Sequence, residues 1–334
     1  MTEFDVTAEI AREDAWSQYW QSGALHSCAT SLDDQYSGAI GDFWHGVASE
    51  IPEGAAVLDI ATGNGPVPKI LAGSSNASTW VIRGIDLAGI HPTWLNSVSH
   101  VDVKLVGHCG LGEAQAKLLA GGDPTQFKVL TSQFGWEYIT PRSDAIEQTL
   151  QLTEQGGVWR FVCHHSDGLL AGVAREEVAH IDLLLGDPGL LKSAATLLPW
   201  MERATMDVEF VRQSSQASEA RNAYNDAMAV IADRLRTSQA PDLLNEARQG
   251  IHSLVAQVGA GAKLPYINIL AQWRQGLIAS RLRCQELLDH ALSRADVEAL
   301  FAELRARDPG AATDAIELRQ TEGLLGWGIQ VDWS

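Results

Sequence analysis

The residues best suited to chemistry lie where short apolar runs end. Val57-Leu58-Asp59-Ile60-Ala61-Thr62-Gly63-Asn64-Gly65 is an apolar run holding one acid that breaks into a glycine loop. Val81-Ile82-Arg83-Gly84-Ile85-Asp86-Leu87 is a second run ending in an acid. Glycines at such a turn let the backbone approach a ligand closely, and an acid about 20 residues further on is placed to hydrogen-bond ribose hydroxyls. Later, Val158 to Cys163 empties into His164-His165-Ser166-Asp167-Gly168. An imidazole there is a candidate general base near neutral pH, and His26 and Glu137 are further candidates for the same role. Cys163, His164 and His26 are ligand types that zinc accepts. Neighbours on a strand end point apart, however, and no His pair at i, i+4 supports them, so no metal is expected.

These residues need elements to hold them. Residues 55–60 are too short for a helix and bounded by Gly54 and Gly63, so they read as a buried strand, followed by a helix starting at Val67. The alternation continues with strands at 81–87, 101–106 and 127–131 and helices at 113–120 and 145–153. Gln155-Gly156-Gly157 reads as a turn before a fifth strand at 158–163. Strands alternating with helices predict a doubly wound α/β sheet whose ligand sits outside the carboxyl ends of the strands. Residues 315–320 and 324–333, divided by Thr321-Glu322-Gly323, predict a closing hairpin. A dinucleotide fingerprint would need a glycine at Pro68, and Asp59 precedes the loop; both features argue against an NAD dehydrogenase.

Asp59-x-x-x-Gly63-x-Gly65, followed by Asp86, resembles motif I and the ribose-binding acid of the class I S-adenosylmethionine-dependent methyltransferases. The resemblance covers about residues 40–168 and 313–334. It implies a seven-stranded Rossmann-like sheet with an antiparallel seventh strand, and S-adenosyl-L-methionine as cofactor. Asp86 would hold the ribose. Gly63 and Gly65, with Ala61 and Leu87 beside them, would let the backbone approach the cofactor, and Asp59 would orient the amino end of the methionine. His108 and Cys109 would border the adenine, although the acid that the family often carries near His108 is missing. The segment ahead of motif I often forms a lid in this family, which would bring Tyr19, Trp20, Leu25 and His26 to the site. Trp16, Tyr19 and Trp20 share one helical face with Ile10 and Ala15, and such a stripe also suits plain core packing. Ser132-Gln133-Phe134-Gly135-Trp136-Glu137-Tyr138 resembles stretches of the small-molecule branch related to quinone-biosynthesis methyltransferases. It puts Gln133, Trp136 and Tyr138 on the substrate side, with Gln133 also near the cofactor.

Beyond about residue 170 the pattern becomes helix after helix, far more than a minimal fold of this kind needs. The domains expected are a helical lid at 1–50, an α/β core at 51–170, a helical insertion at 171–310 and a closing hairpin at 311–334. The insertion would be a substrate cap or a homodimerisation arm. A net charge of −18, spread along the chain, argues against a nucleic-acid partner. No run of about 18 apolar residues points to a membrane, and the acidic start Met1-Thr2-Glu3-Phe4-Asp5 leads to a cytoplasmic expectation. Cys28, Cys109, Cys163 and Cys284 are far apart and read as reduced thiols. The function expected is methyl transfer to an O or N nucleophile of a small organic molecule, an aromatic or secondary metabolite. A protein or peptide methyltransferase using the insertion for docking, or a non-catalytic cofactor-binding scaffold, are the alternatives.

Overall fold

Seven strands form one sheet in the order β3-β2-β1-β4-β5-β7-β6. They are β1 (Ala56–Ile60), β2 (Val81–Ile85), β3 (Asp102–Val106), β4 (Phe127–Gln133), β5 (Thr153–His164), β6 (Ala312–Gln320) and β7 (Gly323–Asp332). This computed structural model describes residues 3–27 and 37–334, with side chains from residue 12 onward. Cys28 and the side chain of Ile10 lie outside that description. The first five strands pair in parallel, and β7 runs antiparallel to both β5 and β6. The sheet is therefore the doubly wound, Rossmann-like one expected, down to the antiparallel seventh strand.

The helices are α1 (Glu3–Gln21), α2 (Gly38–Glu50), α3 (Pro66–Ala72), α4 (Leu111–Ala120), α5 (Arg142–Gln151), α6 (Leu169–Leu185), α7 (Leu190–Ala204), α8 (Val208–Gln213), α9 (Ser215–Leu235), α10 (Asp242–Gly259), α11 (Tyr266–His290) and α12 (Arg294–Arg307). Among the described residues, none is long and apolar enough to cross a membrane. Strands β1, β2 and β4 are buried on both faces, which is why they read as near-continuous apolar runs. Val57, Ile82, Val129 and Val162 face a core shared with Trp44, Leu71 and Trp80. Leu58, Leu130, Trp159 and Phe161 face the other, with Leu118, Ile146 and Leu300.

Two expectations shift at the edges. The Gly156-Gly157 stretch is no turn between elements: it lies inside β5, which begins at Thr153 opposite Phe127 and slips register between Phe127 and Val129. Gly156 at φ +65° gives the irregularity that a strand of ordinary residues would resist. The six-residue α8 shows no clear period in the sequence, being under two turns long.

The chain divides into two compact units, residues 1–172 with 286–334, and residues 173–285. The first carries the sheet. The second is helical, with a core that includes Leu190, Leu198, Ile231, Leu244 and Ile251. In it the fully buried His180 accepts a hydrogen bond through Nε2 from Arg234 Nε at 3.2 Å, so its imidazole is neutral with the proton on Nδ1. Burial first, then the Arg234 charge, lower its pKa.

Candidate active site

Chain order reverses between β1 and β4, and a cleft of about 110 Å³ opens there at the carboxyl ends of the strands. A topological switch point is where open α/β sheets bind their ligands. The backbone is bent sharply at this place. Ala61 follows β1 at φ +53° and Phe134 follows β4 at φ +53°, both in the left-handed region that costs a non-glycine residue on the order of 1 kcal/mol or more. The two loops touch: a Cβ on Gly135 would stand 2.4 Å from the Ala61 Cβ. Ser132 fastens them, donating from Oγ to the Ile60 carbonyl at 2.7 Å and accepting from the Trp136 N–H at 3.1 Å.

Two buried acids stand at this floor, one lining the cleft and one beneath it. Asp86 accepts from the Gly63 N–H through Oδ2 at 2.7 Å and from the Ala88 N–H through Oδ1 at 2.8 Å, so it ties the glycine loop to the end of β2. Burial pushes its pKa up to about 6, against the pull of those two amides. Asp59 accepts from Thr131 Oγ1 at 2.6 Å, across the β1–β4 register. Burial raises its pKa to about 6 as well; hydrogen bonds from Thr131 and Thr62 oppose the rise and the Asp86 charge adds to it.

Helix α1 covers the cleft. The Gly89 N–H donates to Ser17 Oγ at 2.8 Å, Glu13 pairs with His108 Nδ1 at 2.6 Å, and Arg12 reaches the Tyr138 carbonyl at 3.2 Å. Arg12 also pairs with Glu286, whose other oxygen accepts from Trp16 Nε1 at 3.1 Å. Trp16 and Trp20 stack at 5.8 Å. The Trp20 ring packs against the loop, where a Cβ on Gly63 would come within 2.5 Å of it, so only glycine fits at φ +52° beside that indole. Asn64 Nδ2 then donates to the carbonyls of Trp20 at 2.9 Å and Ala24 at 2.7 Å.

One side chain behind the cleft wall lies a second polar group. His164 Nδ1 is 2.8 Å from Glu137 Oε1, which also accepts from the His164 backbone N–H at 2.8 Å. The imidazole stacks on Phe134 at 4.1 Å, and the Tyr138 hydroxyl approaches Nδ1 to 3.3 Å. A carboxylate that holds one imidazole nitrogen leaves the other as the basic site, the logic of acid–histidine pairs in general.

No protein-family model and no curated protein matches the chain. Among solved structures it is similar to the plantazolicin methyltransferase BpumL, solved with a pentazolic desmethyl analogue and S-adenosylhomocysteine; identity is 9 %, all of both chains is covered and the TM-score is 0.46. An O-methyltransferase from Bacillus cereus with S-adenosylhomocysteine is 14 % identical over 96 % of this chain and 90 % of its own, with a TM-score of 0.39. An S-adenosylmethionine-dependent O-methyltransferase from Thermotoga maritima is 15 % identical over 36 % of this chain and 43 % of its own, with a TM-score of 0.28. All three are methyltransferases.

Of the residues singled out in the sequence, Trp20, His26, Ala61, Asp86, Leu87, Gln133 and Tyr138 line the cleft. Others are elsewhere. Asp59 is turned to Thr131 beneath the floor, and Gly63 and Gly65 are covered, the first by Trp20 and the second by Leu105 and Trp94. Tyr19 donates its hydroxyl to the His26 carbonyl at 3.0 Å. His108, at φ +51°, stands over Gly89, and Cys109 is buried in the core, its thiol pKa raised by burial. Trp136 is in the core too, its Nε1 donating to Thr149 Oγ1 at 3.0 Å.

The adjacent histidines point apart: His165 stacks on Trp327 at 4.5 Å and accepts from the Asp167 N–H through Nδ1 at 3.0 Å, with its pKa lowered chiefly by burial. Sequence reasoning did not place Arg12, Glu13, Trp16, Pro66 or Phe134 in the wall. The aromatic stripe held the clue to Trp16; nothing local marks the others.

Proposed function

We propose that the chain is an S-adenosylmethionine-dependent methyltransferase acting on an O or N nucleophile of a small, largely aromatic organic molecule. The observation that carries this reading is Asp86: a buried carboxylate lining the switch-point cleft, with the glycine loop folded onto it. A neutral ribose suits such a carboxylate, whereas a pyrophosphate would be repelled by it and would find the Gly63 N–H already taken. The fit is supported further by a buried amide donor, Gln133 Nε2, that has no hydrogen-bond partner among the described residues.

Asp86 would hold the ribose hydroxyls, and Ala61 and Leu87 would lie along the nucleoside. When bound, S-adenosylmethionine supplies a methyl group already activated on a sulfonium. The protein's task is then alignment and exclusion of water. Trp16, Trp20, Phe134 and Tyr138 give the cleft aromatic walls that shed water and favour a flat acceptor. The acceptor's proton is taken up by the His164 imidazole at Nε2, because Nδ1–H is held by Glu137.

Calorimetric titration with S-adenosylmethionine, S-adenosylhomocysteine and NADH tests the reading: binding of the first two and not the third supports it, and binding of NADH alone overturns it. A labelled-methyl screen of small phenols and amines then identifies the acceptor. With that acceptor, Glu137→Gln is expected to slow transfer about 30-fold, because an amide no longer fixes the imidazole tautomer, while S-adenosylhomocysteine affinity stays within about twofold. An unchanged transfer rate would remove Glu137 from the proton path.

A further inference from the structure

Gln133 stands at the end of β4 with its two amide ends in different settings. Its Oε1 accepts from the indole Nε1 of Trp44, a wholly buried residue of α2. An indole N–H can only donate, so it fixes the amide flip: oxygen toward Trp44, NH2 away from it. Gln133 is 9 % exposed and lines the cleft, and its Nε2 has no partner among the described residues. A buried donor left unmatched is costly, and an apolar side chain of the same length would avoid that cost. Trp44 thus orients a donor that has no partner among the described residues, on a side chain that lines the cleft.

The sheet indicates which part of the ligand. Strand order puts β1 between β2 and β4, so Asp86 and Gln133 stand two strand spacings apart, about 10 Å. Between them, Ala61 and Gly135 are in mutual contact at the floor. A nucleoside held at Asp86 therefore extends its 5′ substituent across β1 toward β4. A carboxylate on that substituent is repelled by Asp86 and settles at the far end. The cationic candidate there, Arg12, is already engaged by Glu286 and the Tyr138 carbonyl.

We infer that Gln133, oriented by Trp44, donates its Nε2–H to the carboxylate of the cofactor's amino-acid tail and so selects tailed over tail-less nucleosides. The inference rests on the cofactor reading above. Trp44 is a positioning residue: it touches Gln133, not the ligand.

Calorimetry of the intact protein with S-adenosylhomocysteine and with 5′-methylthioadenosine, which keeps the nucleoside and sulfur but lacks the tail, is the test. The wild type is expected to prefer S-adenosylhomocysteine. Gln133→Glu keeps an acceptor for Trp44 and turns the donor into a negative charge. It should weaken S-adenosylhomocysteine about 30-fold and change methylthioadenosine less than about threefold. Gln133→Met, which removes the donor without adding charge, should cost S-adenosylhomocysteine about tenfold with methylthioadenosine again spared. Trp44→Phe should give a smaller loss with the same selectivity.

Equal losses for both ligands, or no loss for S-adenosylhomocysteine in either Gln133 variant, would overturn the assignment. So would a wild type that binds both ligands equally, which leaves the cofactor reading standing. A wild type that binds neither removes that reading and this inference with it. Thermal unfolding of each variant separates loss of ligand contact from loss of fold.

Discussion

Asp86→Ala is expected to weaken S-adenosylhomocysteine binding by about three orders of magnitude, the largest effect of any single substitution in the cleft. The loss has two sources. The alanine cannot accept from ribose hydroxyls, and hydrogen bonds to a charged group contribute roughly 1.5–3 kcal/mol each. It also releases the Gly63 and Ala88 N–H groups, which the carboxylate holds at 2.7 and 2.8 Å, so the glycine loop loses its anchor. Asp86→Asn should fall between, because its single carbonyl oxygen cannot serve two amides and two hydroxyls together.

The same acid gives a pH dependence. Its pKa lies at about 6, so below that value the carboxylate takes up a proton and stops accepting fully. Affinity should then decline by up to about tenfold per pH unit on acidification, and Asp86→Asn should be flat over the same range. Calorimetry across the range checks both. An Asp86→Ala protein that binds within about threefold of wild type would exclude Asp86 from the ligand.

Asp59→Asn should act in the opposite sense, on stability and not on ligand. Asp59 is buried, and its pKa stands at about 6 against an ordinary 3.8. Between those values the folded protein keeps a proton that the unfolded chain has released. The stability this group contributes is thus full below the unfolded pKa and is lost as pH rises through about 6. Above that, holding the charge costs roughly 3 kcal/mol.

Asparagine carries no charge and still offers Thr131 an acceptor. Asp59→Asn is expected to raise the unfolding free energy at about pH 8 by roughly 2–3 kcal/mol and to flatten its dependence between about pH 4 and 6. Urea titrations at both ends of that range measure it. S-adenosylhomocysteine affinity should stay within about threefold, since Asp59 lies beneath the cleft floor. A tenfold loss, with no gain in stability, would instead give this acid the role of orienting the methionine amine.

The sheet was legible because its strands carry their own signals. β1 and β2 are short apolar runs with glycine and acid at their ends, and Ala61, Asp86, Leu87 and Gln133 enter the cleft by sitting one or two residues from a strand terminus. Such placements follow from local sequence alone. Contacts across the fold do not. Trp44 and Gln133 lie 89 residues apart, Glu137 and His164 27 apart, and Arg12 and Glu286 274 apart. No spacing rule brings them together. The left-handed bends at Ala61, His108 and Phe134 were equally hidden, because alanine, histidine and phenylalanine carry no turn signature as glycine does. The pair His164-His165 shows the middle case: the sequence marks a histidine at the strand end, and only the packing on Phe134 or Trp327 says which one stands behind the cleft wall.

The indole of Trp20 lying on Gly63 makes the protein its own optical probe. A molecule that displaces that ring from the glycine loop changes the polarity and quenching around Trp20 and around Trp16, which stacks on it in the cleft. The chain holds 11 tryptophans, but Trp80, Trp159 and Trp327 are sealed in the interior and contribute a steady background. The emission change on occupancy therefore reports from the cleft, so a ligand library can be read by fluorescence with no label attached to protein or compound.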